Sequence, residues 1–148
     1  PAYRVESEFV RALDVFVAWL HEHKTLLPPH HFAVLLTKWD LLHSSGDTAT
    51  QGMAYVGSMC GPQSAAVVED VGGMSTAVVV AHELAHSLGA HHDRQSTDEP
   101  LCDPRLNFLM APSLSGSQDV RKLANSLVLS QCSRRQIAEH LRWCHRLL

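Results

Sequence analysis

From residue 82 to residue 93 the chain reads His82, Glu83, Leu84, Ala85, His86, Ser87, Leu88, Gly89, Ala90, His91, His92, Asp93. On a helix, residues four apart share one face, so His82 and His86 can aim two imidazoles at one ion, as tetrahedral zinc requires. Gly89 can turn the chain sharply without a Cβ penalty, which would return His92 as a third ligand from beyond the helix. Three protein ligands leave the fourth position open to water, the mark of a catalytic rather than a structural zinc. Glu83, beside the first ligand, can stand next to that water without coordinating the metal and act as general base. At this chain's own residue frequencies, the five fixed positions of H-E-x-x-H-x-x-G-x-x-H would recur by chance in roughly one in 10,000 such chains. A helix that merely happens to be rich in His is the poorer explanation. His91 is out of step with both the helical pair and the return after the glycine, and reads as a neighbour of the site.

The rest of the chain has to support that helix. Its 148 residues, 45% hydrophobic and 18% charged, suffice for one cored domain and are too few for two of ordinary size. Twelve Lys and Arg against 15 Asp and Glu give a formal charge of −3, and no electrostatic reason to expect nucleic acid or an anionic membrane as partner. Eleven His are unusual, but His21, His23, His30, His31, His43, His140 and His145 show no ligand spacing to one another and are expected at the solvated surface. The longest apolar runs, Phe32 to Leu36 and Ala77 to Ala81, fall far short of the roughly 20 residues of a membrane span. No leader is readable ahead of Pro1, as expected of a processed product or a fragment. The four Cys contain no CxxC pair, which argues against a thiolate zinc site. Their even, dispersed count suits two disulfides in an oxidising compartment, with four buried thiols as the alternative.

Periodicity places the elements. From Glu6 to Glu22, Phe9, Val10, Leu13, Phe16, Val17 and Leu20 recur at helical spacing, and Pro28 and Pro29 close the segment. Phe32 to Thr37 reads as a buried strand, and His43 to Gly52 as a loop before a strand over Met53 to Gly57. Ala65 to Glu69 is a weaker strand candidate. Ser75 can cap a helix over Thr76 to Leu88 that stops at Gly89. Asp93 to Asn125, rich in Pro, Ser, Asp and Gly, reads as a long irregular segment, and Ser133 to Leu147 as a final helix with Ile137, Leu141, Trp143 and Cys144 near one face.

With these residues in place the sequence resembles the metzincin zinc endopeptidases, and among them the adamalysin or reprolysin family of snake-venom, ADAM and ADAMTS enzymes. Asp93 after the third His is the family-level mark. Asn107, Phe108, Leu109, Met110, Ala111, Pro112 resembles the Met-turn, which implies Met110 as an apolar floor beneath the zinc. Gly52, Met53, Ala54, Tyr55, Val56, Gly57, Ser58, Met59, Cys60 resembles the family's edge strand and following loop, which implies that substrate pairs antiparallel along Gly52 to Val56 by strand addition. The resemblance also implies disulfides Cys60 with Cys144 and Cys102 with Cys132. Ala85 and Leu109 stand where many relatives have Gly and Ile or Val, and neither touches the chemistry.

The expectation is an α/β (α+β) domain with a zincin-like mixed sheet, an active-site helix and a Met-turn. Residues 1–148 would be the C-terminal two thirds of the family's catalytic domain, lacking its first strands. The strand at Phe32 to Thr37 would then have an open edge prone to misassociation. The implied activity is a secreted, monomeric metalloendopeptidase that hydrolyses internal bonds of protein or peptide substrates. It would carry one zinc on His82, His86 and His92, with Glu83 as base and Asp93 anchoring the turn. A structural calcium occurs in full-length relatives, but its usual ligands lie upstream and it is not assigned. The alternatives are a catalytically silent, metalloproteinase-like binding module, disfavoured by an intact Glu83, and a His-rich metal buffer, which would hold several zinc ions per chain.

Overall fold

Five consecutive residues, Ala65 to Glu69, are all buried and form the middle strand of a three-stranded sheet. The computed structural model describes residues 8–42, 50–94, 100–113 and 119–145. In chain order the elements are α1 (Glu8–Glu22), β1 (Ala33–Thr37), β2 (Gly52–Ala54), β3 (Ala65–Glu69) and α2 (Gly73–Ser87). Two short 3-10 turns (Pro100–Cys102 and Pro104–Leu106), α3 (Val120–Asn125) and α4 (Gln131–Cys144) follow. The sheet order is β1-β3-β2; β1 runs parallel to β3 and β2 antiparallel to it. The sheet is therefore mixed, and the segment that looked weakest as a strand is its centre. Its Ala and Val residues lack the alternation of a half-exposed strand because both faces are covered.

Side-chain alternation assigns the two faces. Ala65 and Val67 join Phe9, Leu13 and Val17 of α1, with Met53 and Tyr55 against the same cluster. Gly52, one residue out of phase with Met53, lies instead against Val79 and Glu83 of α2. The sheet is thus sandwiched between α1 and α2. Glu69 closes the α1 layer by accepting a 2.5 Å hydrogen bond from the Leu41 backbone N–H.

Several expected boundaries move. β1 was expected to be buried, yet Leu36 is 54% exposed, because among the described residues β1 pairs with β3 alone and both helices pack mainly on β2 and β3. β2 stops at Ala54 rather than Gly57, since Gly57 turns at φ +68° and its N–H donates to the His86 carbonyl at 2.9 Å. α2 begins at Gly73, so Ser75 lies within the helix and caps nothing. Its first turn is held by Asp70, whose Oδ1 accepts from the Gly72 N–H and the Thr76 hydroxyl, both at 3.1 Å. The irregular segment contains both 3-10 turns and α3.

α4 starts at Gln131 behind the cap residue Ser130, and its buried face carries Cys132, Ser133 and Cys144; Leu141 and Trp143 point outward instead. That face is set by attachments at both ends. Cys144 is bonded to Cys60 in the turn after β2, and Cys132 to Cys102. His140, expected at the surface, is partly buried and donates from Nε2 to the Met59 carbonyl at 3.1 Å. The disulfides span 84 and 30 residues. Each restricts the unfolded chain by about 3 to 5 kcal/mol in the chain-entropy account. His43, most of the loop before β2 and the end of the last expected helix lie outside the described residues. Among the described residues no helix is long and apolar enough to cross a membrane.

Candidate metal centre

The helix that carries the two-His pattern ends as its sequence requires. Leu88 is the C-cap, Gly89 adopts φ +95°, the Gly89 N–H donates to His86 O at 2.8 Å and the Ala90 N–H to Ala85 O at 2.9 Å. These two bonds make a Schellman turn, with Ala90 and Ala85 meeting in the apolar cluster below it. A side chain at Gly89 is barred twice. Its φ is left-handed, and an added Cβ would lie 2.8 Å from the Cβ of His140 on α4.

Beyond the turn the chain doubles back. The Asp93 N–H donates to Met110 O at 2.8 Å, so the strand-like return of 91–94 is clipped to the turn over 107–111. That turn needs Asn107 in the left-handed region, φ 61°, a conformation Asn tolerates better than most residues. The Asn107 side chain donates to Lys122 O at 3.1 Å and the Asn125 side chain to Leu106 O at 2.9 Å, which docks α3 against the turn. Met110 is fully buried with Ala85, Ala90 and Leu109.

Asp93 is buried as well. Its Oδ1 accepts from the hydroxyls of Ser130 at 2.6 Å and Ser133 at 3.2 Å, both at the start of α4. Ser130 also accepts from the Ser133 N–H at 3.1 Å as the helix cap. The cap and the return strand are thereby one hydrogen-bonded unit. A short Ser-x-x-Ser spacing is the only trace of this in the sequence.

These supports bring His82, His86 and His92 together, with one ring nitrogen of each inside a 4.8 Å cluster. His92 Nε2 lies 3.1 Å from the Nε2 atoms of both His82 and His86. The other nitrogens explain the aim: His82 Nδ1–H donates to Leu109 O at 2.7 Å and His86 Nδ1–H to Ala90 O at 2.8 Å. With Nδ1 protonated, both Nε2 atoms present lone pairs, and His92 has at most one Nε2 proton to share between them. The trio is a poor hydrogen-bonded cluster and a good donor set for a cation. Zinc–nitrogen bonds of about 2.0 to 2.1 Å at tetrahedral angles put ligand nitrogens about 3.3 Å apart, close to the spacing found. Carbonyl partners on the far nitrogens are the usual means of fixing metal-ligand tautomers. Neither carbonyl partner had a signal in the sequence.

Electrostatics favour the same state. Burial holds the pKa of His82 below its ordinary value, and burial followed by the nearby His82 lowers that of His86 to about 4. Burial also lowers His92. The imidazoles are thus kept neutral, as ligands must be. Glu83 is buried, and desolvation pushes its pKa up to about 8 against the opposing effect of the Ala54 backbone N–H. A carboxyl so placed takes up a proton readily near neutrality. An added Cβ at Gly52 would lie 2.8 Å from Glu83 Oε1, so only glycine leaves room for Glu83 at the edge of β2. Read from sequence, Gly52 closes a loop and, by the family resemblance, opens the edge strand; its contact with Glu83 is tertiary.

The three His and Glu83 open into a cleft of about 720 Å3, bounded by β2 on one side and by Ala111, Pro112 and Ser113 on another. Gly52, Met53, Ala54 and Val56 line it. Tyr55 faces the other way, donating its hydroxyl to Asp14 of α1, and burial with that contact raises its pKa to about 12. His91 is exposed at the mouth, its backbone N–H donating to Gln136 Oε1 at 2.9 Å.

A three-His group able to hold a metal ion, set on a helix and the return after it in a mixed α/β domain, is the mark of a zincin-type fold. The chain belongs to the reprolysin (M12B) family of zinc metalloproteases, whose family model matches residues 2–144. It is 33% identical over 136 residues to the human "A disintegrin and metalloproteinase with thrombospondin motifs 20", a match covering 87% of this chain. It is 37% identical over 116 residues to the mouse protein with thrombospondin motifs 7, covering 77%, and 41% identical over 122 residues to gon-1 of Caenorhabditis elegans, covering 75%. The matches span 7%, 7% and 5% of those relatives' lengths.

Proposed function

We propose that the chain is the zinc-dependent catalytic part of an extracellular metalloendopeptidase acting on internal bonds of proteins. The observation that carries this reading is the convergence of three Nε2 atoms beside a buried carboxyl at the floor of an open cleft. His82, His86 and His92 would hold one zinc, which when bound supplies a Lewis acid and makes water acidic enough to deprotonate near neutral pH. Glu83 accepts the proton of the attacking water and returns it to the leaving amine, and its buried position in the cleft beside the three His places the carboxyl for both transfers. The edge of β2, unpaired among the described residues, offers backbone groups to an extended peptide, which would align the bond to be cut over the metal. Met110, packed with Ala85 and Ala90 at the end of the helix, would form the apolar floor of the site, and Asp93 anchors the returning segment that carries His92. Two disulfides fit an oxidising, extracellular setting.

The chain is read as the C-terminal two thirds of a reprolysin catalytic domain and as monomeric; the edge of β1, unpaired among the described residues, supports the first statement. The test is zinc stoichiometry together with chelator-reversible cleavage of a generic protein substrate. One zinc per chain is expected, and Glu83→Gln should keep it while losing turnover by at least about a hundredfold. One zinc with no Glu83-dependent cleavage would favour the binding module.

A further inference from the structure

The cleft does not end at His92. His91, His92 and Arg94 also wall a second hollow of about 410 Å3, completed by Gln136 and the Cys102–Cys132 disulfide. A peptide lying along β2 and over the three His therefore has a side-chain chamber at the far side of the return strand. Two charged side chains line that chamber, Arg94 and Asp93, and the second is turned inward. The carboxylates among the described lining residues of the two hollows are Glu83, turned to the metal side, and Asp93, buried under Ser130 and Ser133. Arg94 is exposed, with no carboxylate partner among the described residues. Its guanidinium presents a planar fork of donors that matches a carboxylate.

Gln136 completes the recognition set. Because the His91 N–H can donate only to an oxygen, the 2.9 Å bond fixes Oε1 on that side and leaves the two Nε2 protons to other partners. Arg94 lines both hollows together with His91 and His92, which places it beside the three-His group rather than out on a remote surface.

We propose that Arg94 and Gln136 form a specificity subsite for an acidic side chain, Asp or Glu, of the bound polypeptide. The inference rests on the protease reading for its substrate, but recognition of the acidic side chain does not require turnover. An exposed guanidinium–carboxylate pair is worth up to about fivefold in affinity, and replacing attraction by repulsion widens the difference further. The proposal thus concerns selectivity and not rate enhancement.

The experiment uses zinc-loaded protein and a set of matched peptides carrying Glu, Gln or Lys at each position in turn on both sides of the cleaved bond. At one position Glu should exceed Lys by about fivefold or more in kcat/KM, and the preference should shrink in high salt. Arg94→Glu should reverse the order at that position alone, and Gln136→Ala should weaken it. The same peptides are competed for binding to the Glu83→Gln protein, which reports the preference even if nothing is cleaved. Acidic preference in binding without cleavage supports the subsite and defeats the protease reading. Cleavage with no acidic preference at any position, or a Glu-to-Lys ratio unchanged by Arg94→Glu in both assays, overturns the subsite.

Discussion

Replacing Gly52 by Ala should disable the site without touching a metal ligand. The new Cβ would meet Glu83 Oε1 at 2.8 Å, Val79 Cγ1 at 2.8 Å and Glu83 Cγ at 2.9 Å. Carbon atoms rest at about 3.5 to 4.0 Å, so something must give by about 0.7 Å. Gly52 has no left-handed φ, so the cost is steric and not one of backbone conformation. β2 is anchored to β3 by its ladder and Val79 sits within α2, which leaves the Glu83 side chain as the part most free to move. Overpacking of this size costs about 1 to 3 kcal/mol in stability. A catalytic group displaced by about 1 Å costs on the order of a hundredfold in rate. The assay is kcat/KM on one fluorogenic peptide, read beside zinc content and urea unfolding. The expected result is full zinc content, a modest stability loss and a rate reduced about a hundredfold. A Gly52→Ala protein that folds, holds zinc and turns over at the wild-type rate would refute the packing argument.

Three further outcomes follow from the same contacts. In the metal-free chain Glu83 and His86 should pull stability in opposite directions with pH. Glu83 has a raised folded pKa, so its contribution is present below about 4.5 and is lost as pH rises toward 8, about 4 to 5 kcal/mol over that window. His86 has a lowered folded pKa, so stability is lost as pH falls from 6.5 toward 4, about 3 kcal/mol. Denaturant unfolding of metal-free wild type and Glu83→Gln should show a gap in favour of the variant that widens from pH 5 to pH 8; a gap independent of pH would contradict the burial argument. Gly89→Ala should cost about 2 kcal/mol or more from its left-handed φ and its contact with His140, and should weaken zinc binding in a chelator competition. Leu36→Lys, placing a charge on the uncovered β1 edge, should reduce light scattering at high protein concentration without altering zinc content; unchanged scattering would show that this edge does not drive association.

The grouping of His82, His86 and His92 was legible because it depends on local geometry. Helical spacing puts His82 and His86 on one face, and a glycine just past the helix is the residue type a Schellman turn demands. Metal chemistry also constrains residue identity more sharply than packing does, so few patterns imitate it. Helix α1 was legible for a related reason: one covered face imposes a period, and Phe9, Leu13 and Val17 keep it. The pattern failed where burial comes from both sides or from neither. Ala65 to Val68 carries no alternation because helices cover both faces of β3, whereas Leu35 and Leu36 look like core residues and lie on an open edge.

The sequence by itself determined the helix face that carries His82 and His86, the turn that ends that helix and the position of Glu83 beside the first His, because each is set by residues within a dozen positions of one another. Tertiary structure decided what makes those residues a site. The Leu109 and Ala90 carbonyls select the His tautomers, and Ser130 and Ser133 hold Asp93 across 37 and 40 residues. Gly52 leaves room for Glu83 from 31 positions away, and Arg94 with Gln136 shapes the far end of the cleft. Such contacts join segments whose separation along the chain leaves no periodic trace, so only the packed fold reveals them.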